Sequence, residues 1–210
     1  MKKFEIITEA DARVLARGET VELMRGGHIT PLAADTLKER RITVVRDGQV
    51  SAADAALAPP DVRTVAIASD HGGVALRKTL VTFLRSRGLA VHDLGTDGPD
   101  PVDYPDTAAA VARVVARGEA DAGIAIDGAG IGSAIAANKI DGIRAVMATT
   151  ETIARYSREH NGANVLTLGA SLVTADEARA IVVTFVTTPM REARYIRRLA
   201  KIRALERGRG

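Results

Sequence analysis

The sequence predicts an α/β fold, a three-layer αβα sandwich on a five-stranded parallel, Rossmann-like sheet, preceded by a small helical extension. Three observations carry that expectation. From residue 63 onward, short aliphatic runs alternate with helical stretches, the pattern of a parallel sheet crossed by helices. Packing falls on Ala, Val, Ile and Leu, because the 210 residues include no Trp, three Tyr and three Phe; such a composition suits a sheet covered on both faces. Polar and glycine-rich segments recur where the runs end, and ligands of such folds collect at the carboxyl ends of the strands.

The elements follow in order. TEADARVLAR reads as a short helix capped by Thr8, and TPLAADTLKERR as a second, with Thr30 as N-cap, Pro31 at the first helical position and Leu32, Ala33 and Leu37 on one face. ITVV at 42–45 suits a small strand. These 1–47 residues form the extension. GQVSAADAALAPPDV, 48–62, is small, Ala-rich and ends in Pro59-Pro60, as an extended linker would. In the main domain, 63–210, TVAIAS (64–69) is the first strand and a helix runs from about Gly73 to Ser86. LAVHDLG (89–95) is a strand, YPDTAAAVARVVARG (104–118) a helix, and AGIAI (122–126) the third strand. IRAVMA (143–148) and ANVLTLG (163–169) are strands flanking a helix at ETIARYSREH (151–160). TADEARAIVVTFV (174–186) and a long C-terminal stretch complete the helices.

Composition excludes several classes. Without cysteine there is no disulfide, thiolate metal site or thiol nucleophile. No apolar run approaches 18 residues and MKKFEIITEADARV lacks a signal-peptide core, so a soluble cytoplasmic protein with no membrane contact is expected. Net charge is +3, with the basic excess in REARYIRRLAKIRALERGRG. That stretch reads as a solvated helix and tail; without aromatic interleaving or a binding motif, no nucleic-acid partner is expected. A few of its arginines facing a phosphate is the functional alternative.

The segment GIAIDGAGIGSAIAANK, 123–139, carries most of the chemistry. Gly128, Gly130 and Gly132 let backbone N–H groups converge on an anion at a helix N-terminus. A nicotinamide dinucleotide would need G-x-G-x-x-G, with Gly or Ala where Ser133 stands, although Glu151 falls near the spacing of a ribose-binding acid. Asp127 would also face the pyrophosphate at close range. An enediolate suits the segment better: a base beside a cluster of N–H donors is what proton removal next to a carbonyl requires. In that reading Asp127 takes the proton, the loop Gly128-Ala129-Gly130-Ile131-Gly132-Ser133 holds the anion, and no metal or cofactor is needed. The alternative is that Asp127 only caps the following helix.

With DHGG, DYPD, GAGIGSAIAANK and SREHNGANVLTLG in order, residues 63–205 resemble the ribose-5-phosphate isomerase B and galactose-6-phosphate isomerase family. The resemblance implies aldose–ketose interconversion of a sugar phosphate through an enediol. It also implies dimers, often paired into tetramers, with active sites between subunits. Position by position, it implies Asp127 in proton transfer and His160 in ring opening. Asp70 and Tyr104 would meet the sugar, His71 the phosphate region, Asn138 would support the loop, and Asn161 would stand beside His160, contributed by the neighbouring subunit. ARYIRRLAKI matches the family's R-H-x-x-R pattern, which places the phosphate arginines at Arg194 and Arg198 with Tyr195 where the histidine stands. Each residue also has a plain structural reading: His71 as a cap, Tyr104 as packing beside Pro105, His160 at a helix C-terminus, and Arg194 and Arg198 as one solvated face.

The departures are informative. Asp127 stands where many members carry a proton-abstracting Cys, Ala129 replaces a Thr, and Ser133 occupies the position of the Glu some members use as base. Gly169-Ala170-Ser171 lacks a phosphate-binding Arg of the family. Ribose 5-phosphate is the first expectation for substrate; a tetrose, deoxypentose or hexose phosphate, or a non-catalytic sugar-phosphate-binding scaffold, are the alternatives. In the extension, ITEADARVLARG and ITPLAADTLKERRI are similar to N-terminal segments of bacterial microcompartment enzymes, such as some cobalamin adenosyltransferases. That similarity implies a docking or encapsulation element for a shell or partner enzyme, set against a small local subdomain.

Overall fold

A computed structural model of the chain describes residues 1–46, 50, 52–98 and 100–208. Gly48, Gln49 and Ser51 of the expected linker, and Asp47 before it, lie outside the described residues. The chain divides into two compact units, Met1–Ala56 and Leu57–Gly210.

The first unit differs from the expected helical extension. It is a three-stranded parallel sheet in the order β1-β2-β3 (Lys3–Ile7, Thr20–Ile29, Thr43–Arg46), with helices α1 (Glu9–Val14) and α2 (Pro31–Glu39) as its crossovers. Thr8 and Asp11 close a capping box on α1, and the Thr30 hydroxyl caps α2 ahead of Pro31. Val21 and Leu23 join Ile7, Ala12, Leu15, Ala33 and Leu37 in one core. The intervening Glu22 pairs with Lys3 at 3.3 Å. Charged residues between the apolar ones hid β1 and β2 in the sequence. A short helix α3 (Ala52–Ala55) stands where the sequence suggested extended linker.

The second unit is the αβα sandwich. Its five parallel strands, β4 (Thr64–Ser69), β5 (Ala90–Asp93), β6 (Ala122–Asp127), β7 (Ala145–Met147) and β8 (Val165–Gly169), lie in the order β5-β4-β6-β8-β7. Val65 and Ile67 face one layer with Leu166 and Leu168, packed by α4 (Val74–Ser86), α7 (Glu151–Glu159) and α8 (Ala175–Thr187). Ala66, Ala68 and Val165 face the other, packed by α5 (Tyr104–Ala116) and α6 (Ile131–Ala137). Both faces are therefore covered, and the period-2 alternation sends each strand's side chains into two separate cores. A C-terminal helix, α9 (Ala193–Glu206), buries Tyr195, Ile196 and Leu199. Among the described residues no helix is long and apolar enough to cross a membrane.

Candidate active site

The order of the sheet reverses at β4 and β6. One crossover from β4 leaves on the α4 face and the return to β6 comes over the α5 face, so a crevice opens at the carboxyl ends of these two strands. Asp70 and Asp127 end them side by side, with the Asp70 N–H donating to the Ile126 carbonyl at 3.0 Å.

Asp70 Oδ1 accepts from Gly72 and Gly73 N–H at 2.9 and 3.1 Å, which folds the chain into a 3-10 turn, His71–Gly73, before α4. His71 is exposed, and its Nδ1 accepts from Val102 N–H at 3.3 Å. A neutral His71 therefore carries its proton on Nε2. Tyr104 opens α5 with its ring laid over Gly132: a Cβ at that glycine would sit 2.5 Å from Tyr104 Cε2.

The loop after β6 is pressed onto the end of β8. Gly130 has φ +77°, and a Cβ there would lie 2.8 Å from the Leu168 carbonyl carbon, so only glycine satisfies both the dihedral and the space. Thr167 Oγ1 donates to the Gly130 carbonyl at 2.7 Å, and the Ser171 hydroxyl and N–H both donate to the Gly128 carbonyl.

Asp127 sits inside this loop with 5 % of its surface exposed. Oδ1 accepts from the N–H of Ala129 at 2.8 Å and from that of Gly130; Oδ2 accepts from Ser133 N–H at 2.9 Å and from the Ser133 hydroxyl. Burial acts to raise the carboxyl's pKa. The Ser133 hydroxyl and the N–H groups of Gly130, Ser133 and Ala129 outweigh it and hold the group below the usual carboxylate range. The sequence assigned all the loop amides to an external anion. The structure corrects this, because those of Ala129, Gly130 and Ser133 already serve Asp127. Ile131 and Gly132, the first two residues of α6, have no intrahelical acceptor for their N–H groups.

The remaining candidates stand elsewhere. His160 follows α7 and precedes β8, so it lies at the amino end of the sheet. There it stacks on Tyr156 (centroids 4.7 Å, planes 14° apart) and on Tyr195 (4.5 Å, 34°). The Arg194 and Arg198 guanidiniums lie over the Tyr195 ring, 4.6 and 5.5 Å from its centroid. Asn161 is exposed beside His160. Asn138 also lies at this end, as C-cap of α6, with its amide bonded to the backbone of Ala145. It does not support the loop, as the sequence implied: it sits at the opposite end of α6.

Within one chain the candidate residues therefore form two groups. Asp70, His71, Tyr104 and 127–133 occupy the carboxyl edge of the sheet; His160, Asn161, Arg194 and Arg198 occupy the amino edge. β8, five residues long, runs between them, and at about 3.3 Å per residue that is roughly 16 Å. The sequence reading passed over Tyr156 as a partner of His160, although its position four residues earlier on the same helix is a signal for that contact. It also passed over Thr167, a polar residue in a strand otherwise made of aliphatics and glycine.

Comparison with known proteins places these residues in context. A family model described as ribose/galactose isomerase matches residues 65–202. Ribose-5-phosphate isomerase B of Escherichia coli is 40% identical over 148 residues, covering 70% of this chain and 99% of the relative. Among solved structures, ribose-5-phosphate isomerase B of Clostridium thermocellum aligns with a TM-score of 0.68 at 45% identity, over 70% of this chain and 99% of that one. The Mycoplasma genitalium ribose-5-phosphate isomerase B, solved with bound ribulose-5-phosphate, aligns at 0.66 and 38% identity, over 69% and 96%.

Proposed function

The chain belongs to the ribose/galactose isomerase family and is a sugar-phosphate isomerase, and we propose that it interconverts ribose 5-phosphate and ribulose 5-phosphate through an enediolate. One observation supports this site reading above the others: a buried carboxylate, Asp127, stands next to the N–H groups of Ile131 and Gly132 at a helix start. Asp127 removes the proton from C2 of the open-chain aldose, and the electron pair moves onto the carbonyl oxygen at C1. Those two amides stabilise the oxyanion. Protonated Asp127 then returns the proton to C1 while the hydroxyl proton passes from O2 to O1, leaving the ketose.

Its hydrogen bonds make Asp127 a weak base in the resting protein. Substrate entering the crevice displaces water and strengthens the opposing influence, burial, which favours the protonated carboxyl. His160 assists ring opening, Asp70, Tyr104 and Asn161 contact the sugar, and His71, Arg194 and Arg198 hold the phosphate. Since these groups stand at opposite edges of one sheet, a site that uses them all takes one half from each of two subunits. Ile131 and Ile135, 55 and 59 % exposed on α6 beside Tyr104, supply apolar surface for that contact. The assembly proposed is a homodimer, or a tetramer built from it.

The four donors on Asp127 favour a second reading, in which the residue is only a cap. Proton NMR in heavy water separates the two. Wild-type protein with ribose 5-phosphate should lose the C2 proton signal as the ketose appears, and Asp127→Asn should bind ligand without exchange. Full exchange by Asp127→Asn removes Asp127 as the base. A panel of tetrose, deoxypentose and hexose phosphates tests the substrate assignment in the same experiment.

For residues 1–47 we propose docking to a microcompartment shell or a partner enzyme, leaving the isomerase inside the compartment. A unit with its own core is suited to act as a tag. Unchanged association of a protein lacking those residues with its partners in a pull-down would end that idea.

A further inference from the structure

Tyr195 touches three of the groups assigned to substrate. It is 7 % exposed while Arg194 and Arg198, on either side of it in α9, are exposed. A buried tyrosine hydroxyl needs a partner, and this one accepts from Arg194 Nη2 at 2.8 Å. Its ring carries both guanidiniums and also packs against the His160 imidazole, which stacks on Tyr156 as well. Among the described residues neither guanidinium is paired with a carboxylate. What holds these two cations in place is therefore an aromatic face and one phenolic oxygen. An aromatic face attracts a guanidinium without neutralising it, so the full charge of both stays available to an incoming anion.

We infer that Tyr195 is a positioning residue for the isomerase: its ring sets the plane of His160, and its ring and hydroxyl together hold Arg194 and Arg198 ready for a phosphate dianion. The inference rests on the proposed reading of His160 and the two arginines as substrate-handling groups. The histidine of the family pattern at this position offers a smaller ring and no phenolic oxygen for Arg194. Tyrosine extends the wall between the imidazole and the guanidiniums, and so helps to set the distance at which a ring oxygen and a terminal phosphate are read together.

The test uses the full-length enzyme, initial rates with ribose 5-phosphate, and inorganic phosphate as a competitive inhibitor. Tyr195→Phe keeps the ring and loses the bond to Arg194. It should raise KM and the phosphate inhibition constant about threefold, with kcat within about twofold. Tyr195→Leu removes the ring. It should weaken phosphate inhibition about tenfold or more and lower kcat about tenfold as His160 loses its stack. Partial rescue by Phe relative to Leu is the pattern of positioning. If the Leu variant does not fold, the Phe variant still decides. Folded variants whose KM, kcat and phosphate inhibition all match wild type overturn the inference. So does a loss confined to melting temperature or active fraction. Arg194→Gln and Arg198→Gln variants with wild-type KM overturn it from the other side, by removing the arginines, and not Tyr195, from substrate binding.

Discussion

Asn138 grips the backbone of Ala145 with both ends of its amide: Oδ1 accepts from the Ala145 N–H at 2.8 Å, and Nδ2 donates to its carbonyl, also at 2.8 Å. β7 is an edge strand of only three residues. The amide therefore satisfies backbone groups that would otherwise face outward as a template for another strand. The same Nδ2 reaches the Ala134 carbonyl at 2.9 Å, which ties the last turn of α6 to the edge.

Asn138→Ala should accordingly lower stability by about 1–3 kcal/mol, the cost of leaving partly buried backbone groups unpaired, read as a lower urea midpoint. Catalysis should be little affected, with KM for ribose 5-phosphate within about twofold of wild type. A large rise in KM with unchanged stability would return Asn138 to the substrate site.

The carboxylate of Asp127 gives a pH signature. Hydrogen bonds from the Ser133 hydroxyl and the loop N–H groups hold its folded-state pKa below the ordinary aspartate range, so ionised Asp127 stabilises the fold above that range. The contribution is lost as pH falls through the lowered folded value. The difference in unfolding free energy between wild type and Asp127→Asn should be flat above about pH 5 and shrink below about pH 4. Chemical denaturation across that range checks it. A difference that grows toward acid would reverse the sign and show the carboxyl held neutral.

Gly132→Ala tests the roof of the loop. The new methyl would lie 2.5 Å from Tyr104 Cε2 and 2.6 Å from Cζ, so the ring, 42 % exposed, must swing away. Because the ring is free to move on its outer side, stability should change by less than about 1 kcal/mol. KM for the sugar phosphate should rise about threefold or more if the ring lines the sugar. Tyr104→Phe, which leaves the contact with Gly132 in place, separates displacement of the ring from loss of its hydroxyl.

Much of the second unit was legible because most of its strands are aliphatic runs and its helices have caps: Thr174 with Glu177 on α8 and Thr150 on α7 are visible as residue types at fixed spacing. The identities at the strand ends were legible for the same reason. Geometry was not. Asp127 in sequence is equally a base or a cap, and only the directions of the Ala129, Gly130 and Ser133 donors show that the loop closes on its own carboxylate. Asn138 is adjacent to the loop in sequence and one helix length from it in space. In the first unit β3 was legible as ITVV, but β1 and β2 escaped notice because Glu5, Glu22 and Arg25 interrupt their apolar residues, and tertiary burial of Val21 and Leu23 decided the conformation of β2.

The separation of the candidate residues into two groups makes the strongest demand on the assembly. If each site takes Asp127 from one subunit and His160 from another, two inactive variants can repair each other. Asp127→Asn supplies an intact His160 half and His160→Ala an intact Asp127 half. In a two-fold dimer with isologous contacts, a hybrid then contains one site with both native residues and one with neither. Equimolar variants, unfolded and refolded together, give hybrids as about half of the dimers, each with one working site of two. Activity should recover to about a quarter of wild type, against near zero for either variant refolded alone. Mixing the folded proteins without subunit exchange should restore nothing. A refolded mixture that stays inactive while its hybrids are demonstrably present would place the whole site within one chain, and His160 would then have no part in it, since β8 holds the two edges apart.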